Sequence, residues 1–276
     1  MTQANLVSVK CLMAQLNEPT LVVLYTSMAD IVSGQPEPIP AELIPGSVFF
    51  DFENVFCDKS SGLPHTMPDS ALFEREATKL GINANSKIVV YDSKGLYSAP
   101  RVWWMFKAMG HSNISVLDGG LPAWLSNTFP VEQTLRVNQQ VGDFRAKPNK
   151  NCFVPTTWLV EHLNQVNVID ARSSARFKGI APEPRAGLRS GHIPGSANLP
   201  FNQCIDNGHL VGFAELKKQF ASCNINELQP LVFSCGSGVT ACILALAASE
   251  AGYVNLSVYD GSWSEWGANV ELPVEC

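Results

Sequence analysis

The chain has 276 residues, of which 46% are hydrophobic and 16% charged, which is enough apolar sequence for one large or two ordinary domains with buried cores. The net charge of −6 argues against nucleic acid or an anionic membrane as the main partner. Eight cysteines with no CxxC pair and no close Cys/His cluster disfavour a disulfide framework and a metal site.

The sequence contains no long apolar span of the kind that crosses a membrane. The first ten residues, MTQANLVSVK, have neither the apolar core of a signal peptide nor the Arg- and Ser-rich pattern of an organelle presequence. We therefore expect a cytoplasmic location and no membrane partner.

Strands and helices are predicted to alternate along the first half. Residues 21–25 and 87–91 are short apolar runs typical of buried strands, and residues 71–80 and 100–109 have helical patterns, each followed by a glycine. Such alternation predicts a parallel sheet with helices on both faces.

In the second half, residues 231–233 are predicted to form a buried strand and residues 241–251 a helix that ends at Gly252. The loop between them reads CGSGVT and begins with Cys235. Its glycines let successive backbone N–H groups turn inward, and the helix adds the positive end of its dipole, so the loop favours a thiolate. A lone cysteine is more often a small buried hydrophobe, but this position indicates a nucleophile.

The second half also repeats the first. Residues 89–124 align without a gap on residues 231–266 at an offset of 142, whereas IPG at 44–46 matches IPG at 193–195 at an offset of 149. The first half thus has about seven extra residues between these blocks, around His65. We predict two duplicated domains, 1–138 and 154–276, joined by a linker at 139–153. Ser93 occupies the position of Cys235, so the first domain is predicted to be inactive.

Four motifs make the chain resemble the tandem rhodanese family and, within it, the 3-mercaptopyruvate sulfurtransferases. They are the CGSGVT loop at 235–240, GHIPG at 191–195, DARSSARF with PEPR between 170 and 185, and YDGSWSEW at 259–266. The resemblance implies an α/β fold of two rhodanese-like domains, each a mostly parallel sheet flanked by helices, with the active site in the cleft between them.

The resemblance also implies a reaction. Sulfur would pass from 3-mercaptopyruvate through a persulfide on Cys235 to cyanide, a small thiol or thioredoxin, with release of pyruvate. We expect no cofactor and no metal, and a monomer or weak dimer.

Several residues match functional positions of the family. Arg176 and Arg185 match its substrate-binding arginines, since the arginine fork pairs bidentately with a carboxylate. Ser237, His65 and Glu53 match its proton relay, with Asp51 as the alternative acid. On its own sequence context, His65 is more often an ordinary loop histidine. The remaining loop residues are expected to bind the substrate: Gly236, Gly238, Val239 and Thr240.

Two alternative functions stay open and one is excluded. Thiosulfate-preferring relatives carry charged residues after the nucleophile, typically CRKGVT, whereas Gly236 and Ser237 are neutral here. Thiosulfate sulfurtransferase activity is nevertheless the first alternative, and a non-catalytic sulfur-relay module is a weaker one. A cysteine-dependent phosphatase would need an arginine six residues after the cysteine, where this chain has Ala241.

Other chemically suggestive residues are predicted to be structural. Arg172 is expected to pair with Asp170 or another carboxylate, and His192 to tie a turn together. Cys242 is expected to be buried and inert, and Cys276 exposed. The tryptophans at 103, 104, 124, 263 and 266 are expected to fill the core and the domain interface.

Overall fold

Two five-stranded parallel sheets form the framework of the chain, seen in a computed structural model that describes residues 4–226 and 228–276. The first sheet has the strand order β1-β5-β4-β2-β3. Its strands are β1 (Leu6–Val7), β2 (Leu21–Tyr25), β3 (Val48–Phe49), β4 (Lys87–Tyr91) and β5 (Ile114–Leu117). The accompanying helices are α1 (Val9–Gln15), α2 (Ser70–Lys79), α3 (Ala99–Ala108) and α4 (Gly120–Ser126), with a 3-10 turn at Lys59–Ser61.

The second sheet repeats this arrangement in the order β6-β12-β11-β7-β8. Its strands are β6 (Phe153–Val154), β7 (Asn167–Asp170), β8 (Ala197–Asn198), β11 (Leu231–Ser234) and β12 (Leu256–Tyr259), and β9 (Ile205–Asp206) and β10 (His209–Leu210) form a separate hairpin. The helices are α5 (Thr156–His162), α6 (Ser174–Phe177), α7 (Phe213–Ala221), α8 (Ala241–Glu250) and α9 (Ser262–Trp266), with 3-10 turns at Leu163–Gln165 and Phe201–Cys204.

The two sheets confirm the predicted duplication and the α/β class. In each sheet all neighbouring strands are parallel, and the strand that precedes the predicted active-site loop, β4 or β11, lies at the centre. Because the carboxyl ends of parallel strands are where such folds bind ligands, Cys235 follows the central strand at the expected edge. Helices α3 and α8 follow these central strands and contact each other, so the two loops are brought to one interface.

The tryptophans fill the interior, as predicted. The indoles of residues 103, 124, 263 and 266 are fully buried and that of Trp104 nearly so. One hydrophobic cluster contains side chains from both sheets, including Trp103 of α3 and Leu244 of α8, so the halves share a continuous core. None of the helices in the described residues is long and apolar enough to cross a membrane.

The segment between the two sheets packs along the first one. Residues 127–152 contain no helix or strand, but Glu132 forms an antiparallel bridge with Leu43, and the ring of Phe144 lies 5.7 Å from Phe73 and 5.8 Å from Phe106. The predicted linker at 139–153 therefore lies largely on the first half, and its last residue opens β6. The domain boundaries themselves stay a prediction.

Candidate active site

The loop that follows β11 is fastened to the start of α9. The backbone carbonyl of Cys235 accepts the Trp263 N–H at 2.9 Å, and the carbonyl of Gly236 accepts the N–H and hydroxyl of Ser264 at 2.9 and 2.6 Å. The N–H of Cys235 donates to the Ser262 hydroxyl at 3.2 Å. These bonds fix the first two carbonyls of the loop.

The N–H groups of residues 236–240 have no acceptor in the part of the chain that the structure describes. They surround the end of β11, where Cys235 is only 2% exposed, and Gly238 has a φ of +75° that a glycine adopts without strain. A ring of unpaired N–H groups at a helix start stabilises an anion. Such a loop can stabilise a negatively charged group at the end of β11.

The matching loop of the first half is already filled by a carboxylate of the protein. Asp92 is buried and occupies the position that Ser234 has in the second half. Its two oxygens accept four backbone N–H groups at 2.8–2.9 Å, those of Lys94, Tyr97, Ser98 and Ala99. These residues match positions 236, 239, 240 and 241, so three of the five N–H groups that are open in the second loop are occupied in the first.

Arg176 and Arg185 lie against the loop of Cys235. A Cβ atom built on Gly236 would be 3.2 Å from Nη2 of Arg176 and 3.7 Å from Nη1 of Arg185. Burial lowers the pKa of Arg185, and the positive charge of Arg176 lowers it further, against the opposing effect of Cys235. An arginine nevertheless stays protonated in proteins, so two cations border the thiol.

The two arginines differ in their partners. Arg176 is held by Glu183, which accepts from its Nε at 3.2 Å and from its Nη2 at 2.5 Å. Arg185 is half-buried and forms no ion pair or hydrogen bond with any residue in 4–226 or 228–276. Of the two arginines, Arg185 is thus the one whose N–H donors are open to an external anion.

Glu183 is shared with a second, deeper arginine. Arg172 is fully buried and donates to Asp170, to Glu183 and to the carbonyl of Gly191. Its guanidinium also lies 4.2 Å from the ring of Trp263. The structural role predicted for Arg172 is confirmed, and it fixes the carboxylate that orients Arg176.

His65 connects the two halves. Its Nδ1 lies 3.0 Å from the hydroxyl of Ser237, and its Nε2 lies 2.9 Å from Oε1 of Glu53. The other oxygen of Glu53 accepts the N–H of Ala29 at 2.8 Å. Burial raises the pKa of Glu53, but the hydrogen bonds from His65 and Ala29 outweigh burial, and the net effect is a lowered pKa. Glu53 is therefore ionised at neutral pH. When the imidazole of His65 is neutral, this carboxylate favours the tautomer with the proton on Nε2, in which Nδ1 accepts from the Ser237 hydroxyl.

Asp51, the alternative acid, is engaged in its own turn. Its Oδ1 accepts the N–H groups of Glu53 and Asn54 at 3.1 and 2.8 Å. Of the two carboxylates that the sequence left open, the structure brings Glu53 to His65.

His192, Cys242 and Cys276 have the surroundings that the sequence predicted. His192 stacks on Phe177 at 3.8 Å and its Nδ1 lies 2.8 Å from the Phe177 carbonyl, as expected of a histidine that ties a turn. Burial raises the pKa of Cys242 to about 12, which keeps this thiol inert, and Cys276 is exposed. In the described parts of the chain, no group of three or more His, Cys, Asp or Glu residues is placed to hold a metal ion.

Sequence reasoning missed a buried ion pair beside the site. Arg101 on α3 donates to Oδ1 of Asp260 at 2.9 Å and also bonds the carbonyls of His65 and Gly238. In the sequence, Asp260 stands out only as the second residue of the YDGSWSEW motif. The available signal was a charged residue within the apolar helix pattern at 99–108.

Comparison with known proteins places these features in a family. Residues 36–127 and 155–269 each match the Rhodanese-like domain family. The chain is 42% identical over 234 residues to the 3-mercaptopyruvate sulfurtransferase of Escherichia coli (strain K12), covering 84% of this chain and 83% of that protein. It is 40% identical over 299 residues to thiosulfate/3-mercaptopyruvate sulfurtransferase 1, mitochondrial, of Arabidopsis thaliana, covering 99% of this chain and 79% of that protein.

A solved structure shows the same architecture. The crystal structure of SseA from Escherichia coli, described among 3-mercaptopyruvate sulfotransferases, matches with a TM-score of 0.83 and 34% identity. The match covers 95% of this chain and 99% of that one.

Proposed function

The chain belongs to the rhodanese-like domain family, and on that premise we propose that it transfers sulfur from 3-mercaptopyruvate, through a persulfide on Cys235, to cyanide or a thiol acceptor. Membership confirms the resemblance drawn from the four sequence motifs. The observation that supports this donor is a chain of hydrogen bonds from Glu53 through His65 to Ser237. Ser237 lies in the same loop as the buried thiol of Cys235. A proton relay of this kind serves a donor whose reaction moves a proton.

The donor carboxylate would bind Arg185 first. Arg185 offers an unpaired guanidinium fork, and Arg176 offers the donors that Glu183 leaves free. A carboxylate held by both cations would place its carbonyl and terminal sulfur over the CGSGVT loop, where Gly236 leaves room for it. Because Cys235 is nearly inaccessible to solvent, this site favours a small donor.

The chemical step transfers one sulfur atom and moves one proton. The Cys235 thiolate attacks the thiol sulfur of 3-mercaptopyruvate, an S–S bond forms and the C–S bond breaks, and its electron pair stays with the pyruvate enolate. The proton of the donor thiol passes to the Ser237 hydroxyl as that hydroxyl gives its own proton to Nδ1 of His65. The relay then returns a proton to the enolate carbon, so the products are pyruvate and an anionic persulfide on Cys235.

The second half-reaction restores the thiolate. The persulfide anion is held by the open N–H groups of residues 236–240. Cyanide attacks its outer sulfur to give thiocyanate and the Cys235 thiolate, or a thiol attacks it and leaves with the sulfur. The physiological acceptor, whether a small thiol or thioredoxin, stays part of the proposal.

The first domain is proposed to be inactive for two reasons. Ser93 replaces the nucleophile, and the carboxylate of Asp92 occupies three of the five N–H groups that would stabilise a persulfide. We propose that this domain contributes His65 and Glu53 to the site of the second one. We also keep the cytoplasm and a monomer or weak dimer as proposals, noting that the Arabidopsis relative is named mitochondrial.

Thiosulfate is the second candidate donor, since the Arabidopsis relative carries both substrates in its name. Thiosulfate is a dianion that releases sulfite and needs positive charge rather than a proton relay. The test is steady-state turnover with each donor and cyanide as the common acceptor. We expect kcat/KM to favour 3-mercaptopyruvate; a clear preference for thiosulfate would overturn the assignment.

Two variants extend this test to the loop. Ser237→Ala should lower kcat for 3-mercaptopyruvate by roughly 10², the scale of general acid–base assistance, and spare thiosulfate. The double change Gly236→Arg with Ser237→Lys should shift the preference toward thiosulfate. Equal losses with both donors in Ser237→Ala would mean that Ser237 only shapes the loop.

A further inference from the structure

The loop that carries His65 is held in place by side chains from other segments of the chain. Residues 62–69 contain no helix or strand, and His65 has a φ of +63°, which a non-glycine residue rarely adopts. Nη2 of Arg101 donates to the His65 carbonyl at 2.5 Å, and Oδ2 of Asp260 accepts the N–H of Met67 at 2.7 Å. The backbone that follows the His65 side chain is thus held at two successive points by the ion pair of Arg101 and Asp260.

The same guanidinium also fixes the other partner of the relay. Nη1 of Arg101 donates to the carbonyl of Gly238 at 3.1 Å, directly after Ser237. Arg101 is fully buried, and its guanidinium lies 4.5 Å from the ring of Phe153. A planar group with this many fixed contacts has one orientation, and that orientation sets the separation between the two backbones that carry Nδ1 and Oγ.

We propose that Arg101, aligned by Asp260, is a positioning residue of the proton relay. It couples His65 of the first domain to Ser237 of the second, and its loss separates them by a fraction of an ångström. The inference rests on the proposed function, because it assigns Arg101 a role only if the relay moves a proton.

The repeat supplies a matched control. Asp118 occupies the position that matches Asp260, and its carboxylate accepts the N–H of Leu210 at 3.0 Å and lies 3.1 Å from Nδ1 of His209. This contact also joins the two domains, but it includes neither relay residue. A variant of Asp118 therefore reports what a loss of interdomain bonding does by itself.

The experiment compares Arg101→Lys, Asp260→Asn and Asp118→Asn with the unchanged protein. Lysine keeps the buried charge but not the planar fork, and asparagine keeps the size of Asp260 but cannot accept from both Met67 and Arg101. Turnover is measured with 3-mercaptopyruvate and with thiosulfate, and thermal unfolding shows whether each variant is folded. We expect Arg101→Lys and Asp260→Asn to lower kcat for 3-mercaptopyruvate roughly tenfold or more, as misplaced catalytic groups do, and to change KM little.

Thiosulfate turnover should stay within about threefold in these variants, since it needs no relay, and Asp118→Asn should leave the ratio of the two activities unchanged. Equal losses with both donors, or the same change of ratio in Asp118→Asn, would show that Arg101 only holds the domains together. If Ser237→Ala lowers only the turnover of 3-mercaptopyruvate but Arg101→Lys lowers the turnover of both donors equally, the role of Arg101 is wrong and the proposed relay stands. If Ser237→Ala lowers the turnover of both donors equally, the proposed relay is wrong, and so is the role of Arg101 that depends on it.

Discussion

Replacing Gly236 with alanine tests whether the arginines bind the donor where the structure places them. The added Cβ would lie 3.2 Å from Nη2 of Arg176 and 3.7 Å from Nη1 of Arg185. Arg176 cannot retreat freely because Glu183 accepts hydrogen bonds from its Nε at 3.2 Å and from the same Nη2 at 2.5 Å. The guanidinium must therefore shift by a few tenths of an ångström, and a carboxylate bound to it loses alignment.

The expected loss is about half of one charged hydrogen bond, or roughly 0.75 to 1.5 kcal/mol. Since 1.4 kcal/mol corresponds to a factor of ten, kcat/KM for 3-mercaptopyruvate should fall about 3- to 12-fold, mainly through KM. Gly236 has no positive φ, so alanine adds no backbone strain that would confuse the result.

The assay is steady-state release of pyruvate over a range of donor concentrations, with Gly212→Ala as the control. Gly212 has a φ of −64°, and no atom lies within 4 Å of the Cβ it would gain. The control should match the unchanged protein. An unchanged KM in Gly236→Ala, with the protein folded, would refute the placement of the donor against these arginines.

Three further predictions follow from the site. Arg185→Lys should lower kcat/KM for 3-mercaptopyruvate by about 1 to 3 kcal/mol, because a point charge does not reproduce the bidentate fork; unchanged kinetics would place Arg185 outside the site. The lowered pKa of Glu53 means that its stabilisation is present above its ordinary value of 4.5 and is lost as the pH falls through the folded value. Denaturant unfolding should therefore show the unchanged protein more stable than Glu53→Gln at pH 7, with the difference shrinking below about pH 4.5; a difference that grows in acid would contradict the shift. With Ser93→Cys in the first domain, adding Asp92→Ser should raise the rate at which iodoacetamide modifies that cysteine at neutral pH, as measured on its peptide by mass spectrometry; equal rates would show that Asp92 does not block the loop.

Much of the framework could be predicted because it depends on local pattern. The strand at Lys87–Tyr91 coincides with its apolar run, and α8 begins at Ala241, as its composition predicted. The gapless repeat at an offset of 142 implied equal strand orders in the two halves, and the sheets have them. These features were readable because each is set by residues close in sequence.

The contacts of the candidate site were harder to predict from the sequence where they join residues that are far apart in the chain. No local pattern shows that His65 meets Ser237, which lies 172 residues away, and only the family resemblance suggested it. The choice between Glu53 and Asp51 depended on the direction of each side chain within one turn. Arg101 was missed because its partners lie in three other segments.

The role of Asp92 could not be predicted from the sequence alone either. A strand-end aspartate followed by a serine reads as an ordinary turn, and its four backbone donors become visible only when the loop is folded. The two loops therefore differ in a way that their sequences do not show: three N–H groups that are open in the second half are bound by a carboxylate in the first.

The most direct test of the whole account is the mass of the protein after exposure to 3-mercaptopyruvate without an acceptor. We expect one added sulfur atom, located on the peptide that contains Cys235, removed by cyanide and absent in Cys235→Ser. Sulfur found mainly on Cys57 or Cys242, or retained in Cys235→Ser, would contradict it.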